Sequence, residues 1–520
     1  MSVGQSASLA HTPPRAWATS IGVALPLVQI LASALLLRFA VPPNGIAPAA
    51  WIALVPVLLA IRGRSPGKAA LIGFAFGLAS LTAMHSWFFA LPGANVINAS
   101  VLFGYLALYP TAWCAALALL MRRKLPWAIP AALLWVLVDW LRGHAGPFAL
   151  PWDPLAQSQA ADVALLQLAA LGGAPLISFV VCLANAALAR GWQKRSRAAL
   201  LCAAGGLAAV HLYGYLSVPA EAERMGTRVA VIQPADDGDP RPARFERLRA
   251  LTRQAMEKRP DLIIWPESAV DGYAFRPDVR RAVAGFAREV NVPILFGSAD
   301  FGKFAKSAGG AAEGLQFKNQ AYLVFPDGMQ QGPYTKNRLV PFGEFTPFEG
   351  HFEWPRWLVP RQLHGIAGRS PGLFQIHDGT LVGVVICWEN YFVDLSDVLV
   401  RRNISMIVQL SNDSDFGTSG EPAQHNAASV LRAVETGRSW VQASANGPSM
   451  IVDAHGRVTE SLGPIGEARW VVRTVSPGRT TTAYERYGLL WFWVTSVVAL
   501  AWTVIAAARP GFDARRDQLT

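Results

Sequence analysis

Cys387 ends an apolar run, Leu381-Val382-Gly383-Val384-Val385-Ile386, and Trp388-Glu389-Asn390 follows it. It is the only cysteine between residues 219 and 485. A thiol at the carboxyl end of a buried strand, where the backbone turns toward a helix, sits where layered α/β enzymes carry nucleophiles. Thiols attack as thiolates, and the reference pKa is about 8.5, so a base is needed. Positive charge or amide donors are also needed where an oxyanion develops. Two segments offer these groups. Trp265-Pro266-Glu267-Ser268 sets a carboxylate just past an apolar run, and Tyr334-Thr335-Lys336-Asn337 sets an ammonium in a loop. Singly, Glu267 reads as a solvated strand end and Lys336 as a solvent-facing loop residue. Together they read as base, cation and nucleophile.

The elements that would position them lie within 226–475. Arg228–Pro234, Leu262–Trp265, Pro293–Gly297, Ala321–Phe325, Leu381–Ile386, Ile404–Leu410, Trp440–Ser444 and Ser449–Val452 read as strands. Helices are expected through Phe245, Leu248 and Leu251, over 276–290, and over about 422–438. Continuous Val, Ile and Leu runs suit strands covered on both faces, so the expected class is α/β, a layered sandwich of about nine strands. Glu267 and Cys387 are expected to end neighbouring parallel strands at one sheet edge. The tract from Gly302 to Gly314 reads as a flexible loop rather than a phosphate cradle.

The 520 residues are 52% hydrophobic and only 16% charged, too apolar for an ordinary soluble protein. In a soluble chain a net charge of +11 would point to nucleic acid. Here the positive charge lies in short runs between apolar segments and reads as membrane topology, so no nucleic-acid partner is expected. There is no zinc-ligand spacing, no P-loop and no GxGxxG after a strand, so neither metal nor cofactor is expected. Cys114, Cys182 and Cys202 lie in apolar runs and read as small buried hydrophobes.

Seven apolar runs precede residue 218, at about 18–41, 47–61, 69–91, 97–121, 126–141, 161–189 and 199–217, and an eighth covers 487–508. Most approach the ~20 residues that cross a bilayer. The first reads as a signal anchor, since further spans follow at once. Arg62, Arg64 and Lys68 follow the second run, Arg122, Arg123 and Lys124 the fourth, and Arg190, Lys194, Arg195 and Arg197 the sixth. The alternate loops 42–46 and 92–96 carry no Lys or Arg, and 142–160 carries only Arg142. Positive loops stay cytoplasmic. Both termini are therefore expected in the cytoplasm, as the tail with Arg509, Arg515 and Arg516 agrees. The expected layout is 1–218 for spans one to seven, 219–485 for an extracytoplasmic catalytic domain, and 486–520 for span eight and the tail. Pro147-Phe148-Ala149-Leu150-Pro151-Trp152 reads either as an interfacial aromatic belt or as part of a lipid-access groove. His85 and Asp139, near span ends, are expected at the interface.

Trp265-Pro266-Glu267, the Lys336 segment and Cys387-Trp388-Glu389 resemble the Glu–Lys–Cys triad of the nitrilase superfamily. The string Lys336-Asn337-Arg338-Leu339-Val340-Pro341-Phe342-Gly343-Glu344, with eight spans around an external domain, resembles the apolipoprotein N-acyltransferase branch. The resemblance implies an α-β-β-α sandwich in a multi-pass protein of the bacterial inner membrane, monomeric, with its catalytic domain in the periplasm. It implies Glu267 as general base, Cys387 as nucleophile and Lys336 as oxyanion stabiliser. Glu344 and Glu389 would orient the site, and Trp388, Asn412, Asp413 and Trp152 would contact substrate. The implied reaction is ping-pong acyl transfer from a phospholipid, through a Cys387 thioester, to the amine of a diacylglyceryl-cysteine apolipoprotein. Two segments depart from the family pattern. Asp415 stands where the family usually has an aromatic, and Ala445-Asn446-Gly447 matches in part. Competing readings are a paralogue with another acceptor, a membrane-anchored amidase, and a non-catalytic scaffold or transporter.

Overall fold

The structure, a computed structural model, describes residues 15–152, 154–194, 197–219, 225–235, 241–302, 316–348, 351–359, 364–376, 379–478 and 481–508. The expected loop at 303–314, the charged tail from 509 and the Cys202 side chain lie outside the described residues.

Thirteen strands are present among the described residues: β1 (Thr227–Gln233), β2 (Leu262–Ile264), β3 (Ile294–Gly302), β4 (Gln316–Val324), β5 (Gln330–Thr335), β6 (His364–Gly365), β7 (Gly372–Gln375), β8 (Leu381–Ile386), β9 (Met406–Ser411), β10 (Ser439–Ser444), β11 (Met450–Val452), β12 (Val458–Ser461) and β13 (Arg469–Val475). They form two sheets. One runs β13-β1-β2-β3-β4-β5, with β6 beside β4, and the other runs β12-β11-β10-β9-β8-β7. Strand residues point alternately to opposite faces, and β1 shows it. Val229 and Val231 join Val384, Val408 and Val441 between the sheets. Ala230 and Ile232 face out, against Leu248 of helix Arg241–Ala255 and Phe286 of helix Pro277–Val290. The second sheet is covered by helices Val393–Val400 and Glu421–Thr436, through Leu399, Val430 and Val434. This is a nitrilase-like α-β-β-α sandwich.

Two expectations need correction. Glu267 follows β2 of the first sheet and Cys387 follows β8 of the second, so they meet across the sandwich, not along one sheet edge. Apolar runs mark strands buried on both faces but do not say which strand pairs with which. The sheets also hold more than nine strands. The strands β5, β7 and β13 mix exposed and buried positions, and β12 has only exposed and half-buried ones, so no long apolar run marks them.

The N-terminal region is helical. Pro66–Met84, Val96–Arg122 and Ala169–Trp192 are long and apolar enough to cross a membrane, and Ala24–Ala40, Ala47–Ala60 and Leu490–Trp502 are shorter apolar helices, among the described residues. The run at 47–61 is two helices, Ala47–Ala53 and Val55–Ala60, and the Leu54 N–H between them donates to Asn185 Oδ1 at 2.8 Å. The run at 161–189 contains Val163–Leu166 and then Ala169–Lys194, which is broken at Gly172 and Gly173. Gly173 has φ +74°, and a Cβ there would lie 2.6 Å from the Tyr484 ring. The freed Ala174 N–H donates to the buried Glu435 carboxylate at 2.5 Å. A carboxylate is well placed at such a restarted helix N-terminus. This joint docks helix Glu421–Thr436 on the helical region, and one core cluster runs from Trp113 and Ile177 to Val430 and Val434. Leu25, Val28, Leu31, Leu35, Val497 and Val504 stay exposed along their helices. Apolar rows of this extent mark a partner or lipid surface.

Candidate active site

The end of β2 delivers Glu267 through Trp265 and Pro266. The turn crosses β3 so closely that a Cβ on Gly297 would lie 2.6 Å from Glu267 Cα, and only glycine leaves room. Glu267 is 6% exposed. Its Oε1 accepts from Asn319 Nδ2 of β4. The Asn319 carbonyl also accepts the Lys336 N–H at 2.8 Å, so one residue holds both Glu267 and Lys336. Lys336, just past β5, is buried, contrary to a solvent-facing loop lysine. Its Nζ lies 2.9 Å from Glu344 Oε1 and 3.7 Å from Glu267 Oε1. The second Glu344 oxygen accepts the Val340 N–H at 2.8 Å, which ties the 336–344 loop into a closed turn.

Cys387 begins the turn Cys387–Tyr391 that follows β8, and its φ is +55°. Left-handed backbone at a non-glycine residue marks strain held by the surroundings, as in nucleophile turns. Glu389 clamps this turn to the lysine loop. Its Oε2 accepts from Ile386 N–H and the Tyr334 hydroxyl, both at 2.7 Å, and its Oε1 accepts from the N–H groups of Asn337 at 2.6 Å and Arg338 at 3.0 Å. We expect Glu389→Gln to destabilise the protein by about 3 kcal/mol, because an NH2 group would face buried donors. Denaturant unfolding in micelles checks this, with Tyr334→Phe as the milder companion.

The charges are coupled. Burial pushes the Glu267 carboxyl up to about 7, with Lys336 opposing and Glu344 adding to the shift. Burial also pushes the Cys387 thiol well above its usual value, and the Glu267 charge adds to this against the pull of Lys336. Burial disfavours the Lys336 ammonium, but Glu344, Cys387 and Glu267 outweigh it and keep it charged. At rest the thiol therefore holds its proton beside a carboxyl poised near neutrality and a fixed cation.

The remaining expected residues divide. Trp388 is buried and its Nε1 donates to the Arg338 carbonyl at 2.6 Å. Trp152 is buried with Trp388 and Tyr391, and Cys387, Leu150 and Trp87 pack on the same cluster. Trp152 thus lies inside, in the cluster that Cys387 packs against, not in an interfacial belt. His85, expected at the interface, is buried edge-on to Trp87 and Trp152, at 5.6 and 5.7 Å. Asp139 pairs with Arg142 at 2.9 Å. Asp413 is buried and accepts from Ser411 at 2.9 Å, Ser444 at 3.0 Å and His425 Nδ1 at 3.1 Å. Asn412 turns back on its own loop, accepting from Ser414 N–H at 3.1 Å and Oγ at 2.6 Å. Asp415 is exposed, and its neighbour Phe416 meets Trp87 at 5.4 Å.

Sequence reasoning missed Asn319, Gln409, Gln424 and His425. Each is a buried polar residue within a strand or helix, and only Gln409, set inside the apolar run Met406-Ile407-Val408-Gln409-Leu410, gave a signal by interrupting its pattern. Gln424 joins the two parts of the chain. Its Oε1 accepts from Trp87 at 3.2 Å and Trp152 at 3.0 Å, and its Nε2 donates to the carbonyls of Pro42 and Met84, both at 3.0 Å. Asp413, Glu421 and His425 bring their ligand atoms within 4.8 Å of one another, the residue types of a metal site. The hydrogen bonds oppose that use. Gln409 Nε2 meets His425 Nε2 at 3.0 Å, so the ring proton sits on Nδ1 and is given to Asp413, leaving no lone pair for a metal there. Burial opposes charge on His425 while Asp413 and Glu421 favour it, up to about 9.

A cavity of about 910 Å³ opens beside the site between the helical region and the sandwich, with Trp140, Arg142, Arg338, Trp388, Tyr391 and Tyr484 in its wall. Trp388 and Tyr391 belong to the same turn as Cys387 and line this space.

A carboxyl, a lysine and a cysteine gathered at the strand ends of an α-β-β-α sandwich define a carbon–nitrogen hydrolase, and residues 228–485 match that family. Residues 33–187 match the apolipoprotein N-acyltransferase N-terminal domain. The apolipoprotein N-acyltransferase of Geobacter metallireducens is 33% identical over 92% of this chain and 94% of its own length, and that of Gloeobacter violaceus is 30% identical over the same shares. The chain belongs to the apolipoprotein N-acyltransferase family, acyltransferases of the carbon–nitrogen hydrolase superfamily. An amidase structure from Nesterenkonia sp. aligns with 50% of this chain and 94% of its own, at 16% identity and TM-score 0.36.

Proposed function

We propose that this protein moves a fatty acyl chain from a membrane phospholipid to the N-terminal amine of a diacylglyceryl-cysteine apolipoprotein, through a thioester on Cys387. The observation that carries the reading is the burial of Glu267 and Lys336 together, 3.7 Å apart, with a half-buried Cys387 that packs, as Trp87 and Leu150 of the apolar helical region do, on the cluster of Trp152, Trp388 and Tyr391. An acyl chain reaching the sulfur from lipid would meet hydrocarbon and aromatic rings throughout, and each CH2 kept from water is worth ~0.8 kcal/mol.

Cys387 Sγ attacks the ester carbonyl while Glu267 takes the thiol proton. The oxyanion forms against the Lys336 ammonium. Collapse expels the glycerol oxygen, which takes the proton back from Glu267 and leaves as lysophospholipid. The acceptor amine then attacks the thioester, Glu267 removes a proton from it, and the sulfur departs and is reprotonated. A carboxyl near 7 suits both transfers, since base strength and availability are balanced at working pH. Exclusion of water protects the thioester from hydrolysis. In this reading eight helices span the bacterial inner membrane, both termini are cytoplasmic, 219–485 form the periplasmic catalytic domain, and Trp388, Asp413 and Trp152 border the substrate.

The test is acyl transfer by the purified protein in mixed micelles of phospholipid and a diacylglyceryl-cysteine peptide. N-acylated peptide and lysophospholipid should appear in equal amounts. Hydrolysis of small amides without transfer would overturn the proposal in favour of an amidase.

A further inference from the structure

Gln409 is a fully buried polar residue in β9, with apolar Val408 and Leu410 on either side. It lies opposite Val385 of β8 and Gln442 of β10. Its amide makes four contacts. Oε1 accepts from Trp440 Nε1 at 2.8 Å and Ser429 Oγ at 2.7 Å. Nε2 donates to the Cys387 carbonyl at 3.1 Å and to His425 Nε2 at 3.0 Å. An indole N–H donates and never accepts. Turned round, the amide would set its NH2 against that N–H and its oxygen against the Cys387 carbonyl. Only the observed orientation gives every donor an acceptor, and Trp440 selects it.

The carbonyl that Gln409 holds belongs to the residue with φ +55°. A non-glycine residue keeps such a conformation only where the surroundings fix it. On the amino side of Cys387, Glu389 ties the Ile386 N–H. On the carboxyl side, Gln409 ties the carbonyl. We infer that Gln409 is a positioning residue for acylation: it holds the left-handed turn that aims the Cys387 thiol, and Trp440 sets which end of its amide does so. The inference rests on reading Cys387 as the nucleophile and adds a support that lies neither in the triad nor in the Glu389 clamp.

The test measures kcat and the phospholipid KM in mixed micelles for Gln409→Leu, Trp440→Phe and the double variant, with thermal unfolding alongside. A misaimed nucleophile costs rate rather than binding, so Gln409→Leu should lower kcat ~100-fold with KM within about threefold of wild type. Trp440→Phe removes one N–H and leaves Gln409 intact, and it should lower kcat about tenfold. Added to Gln409→Leu it should cost nothing further, since the two act as one unit. Unchanged kcat in either single variant, a parallel rise in KM, or losses that multiply would overturn the inference. Where Gln409→Leu fails to fold, Trp440→Phe decides alone. Acylation of Cys387 in the wild type, measured in the same samples, separates the two claims. Its absence sinks the nucleophile reading, whereas its presence with unaffected variants sinks only the role of Gln409.

Discussion

Cys387→Ala is expected to abolish acyl transfer, by on the order of 10^4-fold or more, while leaving a folded membrane protein. The expectation follows from division of labour at the site. The thiol is the only group there that can carry the acyl chain between donor and acceptor, so its loss removes both half-reactions at once. The cost to folding is small. Cys387 makes no side-chain hydrogen bond on which the turn depends: Glu389 holds the neighbouring Ile386 N–H, and Gln409 holds the Cys387 carbonyl. An alanine keeps that backbone and deletes only sulfur. Transfer assays paired with thermal unfolding check both halves. A variant that still acylates would remove the nucleophile, and one that loses activity by unfolding would remove the argument about the turn.

Glu267→Gln should lower the acylation rate by roughly 10^3-fold, within the range for a removed general base. Glutamine keeps the shape and can still meet Asn319, but it takes no proton. The pH dependence gives the sharper reading. The base works as its carboxylate, and burial holds the Glu267 carboxyl up to about 7. Single-turnover acylation should therefore be slow below pH 7, rise through it and level off above, and Glu267→Gln should lose that rise. A wild-type profile flat across neutrality would contradict the assignment of base.

The three proposed residues were legible in the sequence because each stands at a punctuation point. Glu267 follows the apolar Leu262–Trp265 after a proline, Lys336 follows Tyr334-Thr335, and Cys387 closes the longest clean Val/Ile run. Their meeting across two facing sheets was not legible, because an apolar run reports burial and not strand pairing. Trp152 was visible as an aromatic in a loop, but not as a ring stacked 4.3 Å from Tyr391 near Cys387. That contact joins residues far apart in the chain. Asn319 lies at the more polar start of β4, before the apolar stretch that marks the strand. Gln409 reads as an interruption of a good strand pattern and His425 as one of several polar residues at the start of its helix, and their purpose shows only in the partners they reach. The helical region was legible as apolar runs. The breaks at Leu54 and at Gly172-Gly173 depend on Asn185, Glu435 and Tyr484 from distant segments.

In the proposed reaction one sulfur carries the acyl group. Peptide-resolved mass spectrometry of the protein after exposure to a phospholipid of defined chain length tests it most directly. The account predicts one fatty-acyl increment on Cys387, labile to hydroxylamine and discharged on adding a diacylglyceryl-cysteine peptide. Transfer that proceeds with Cys387 never modified, or with the chain on another residue, would contradict it.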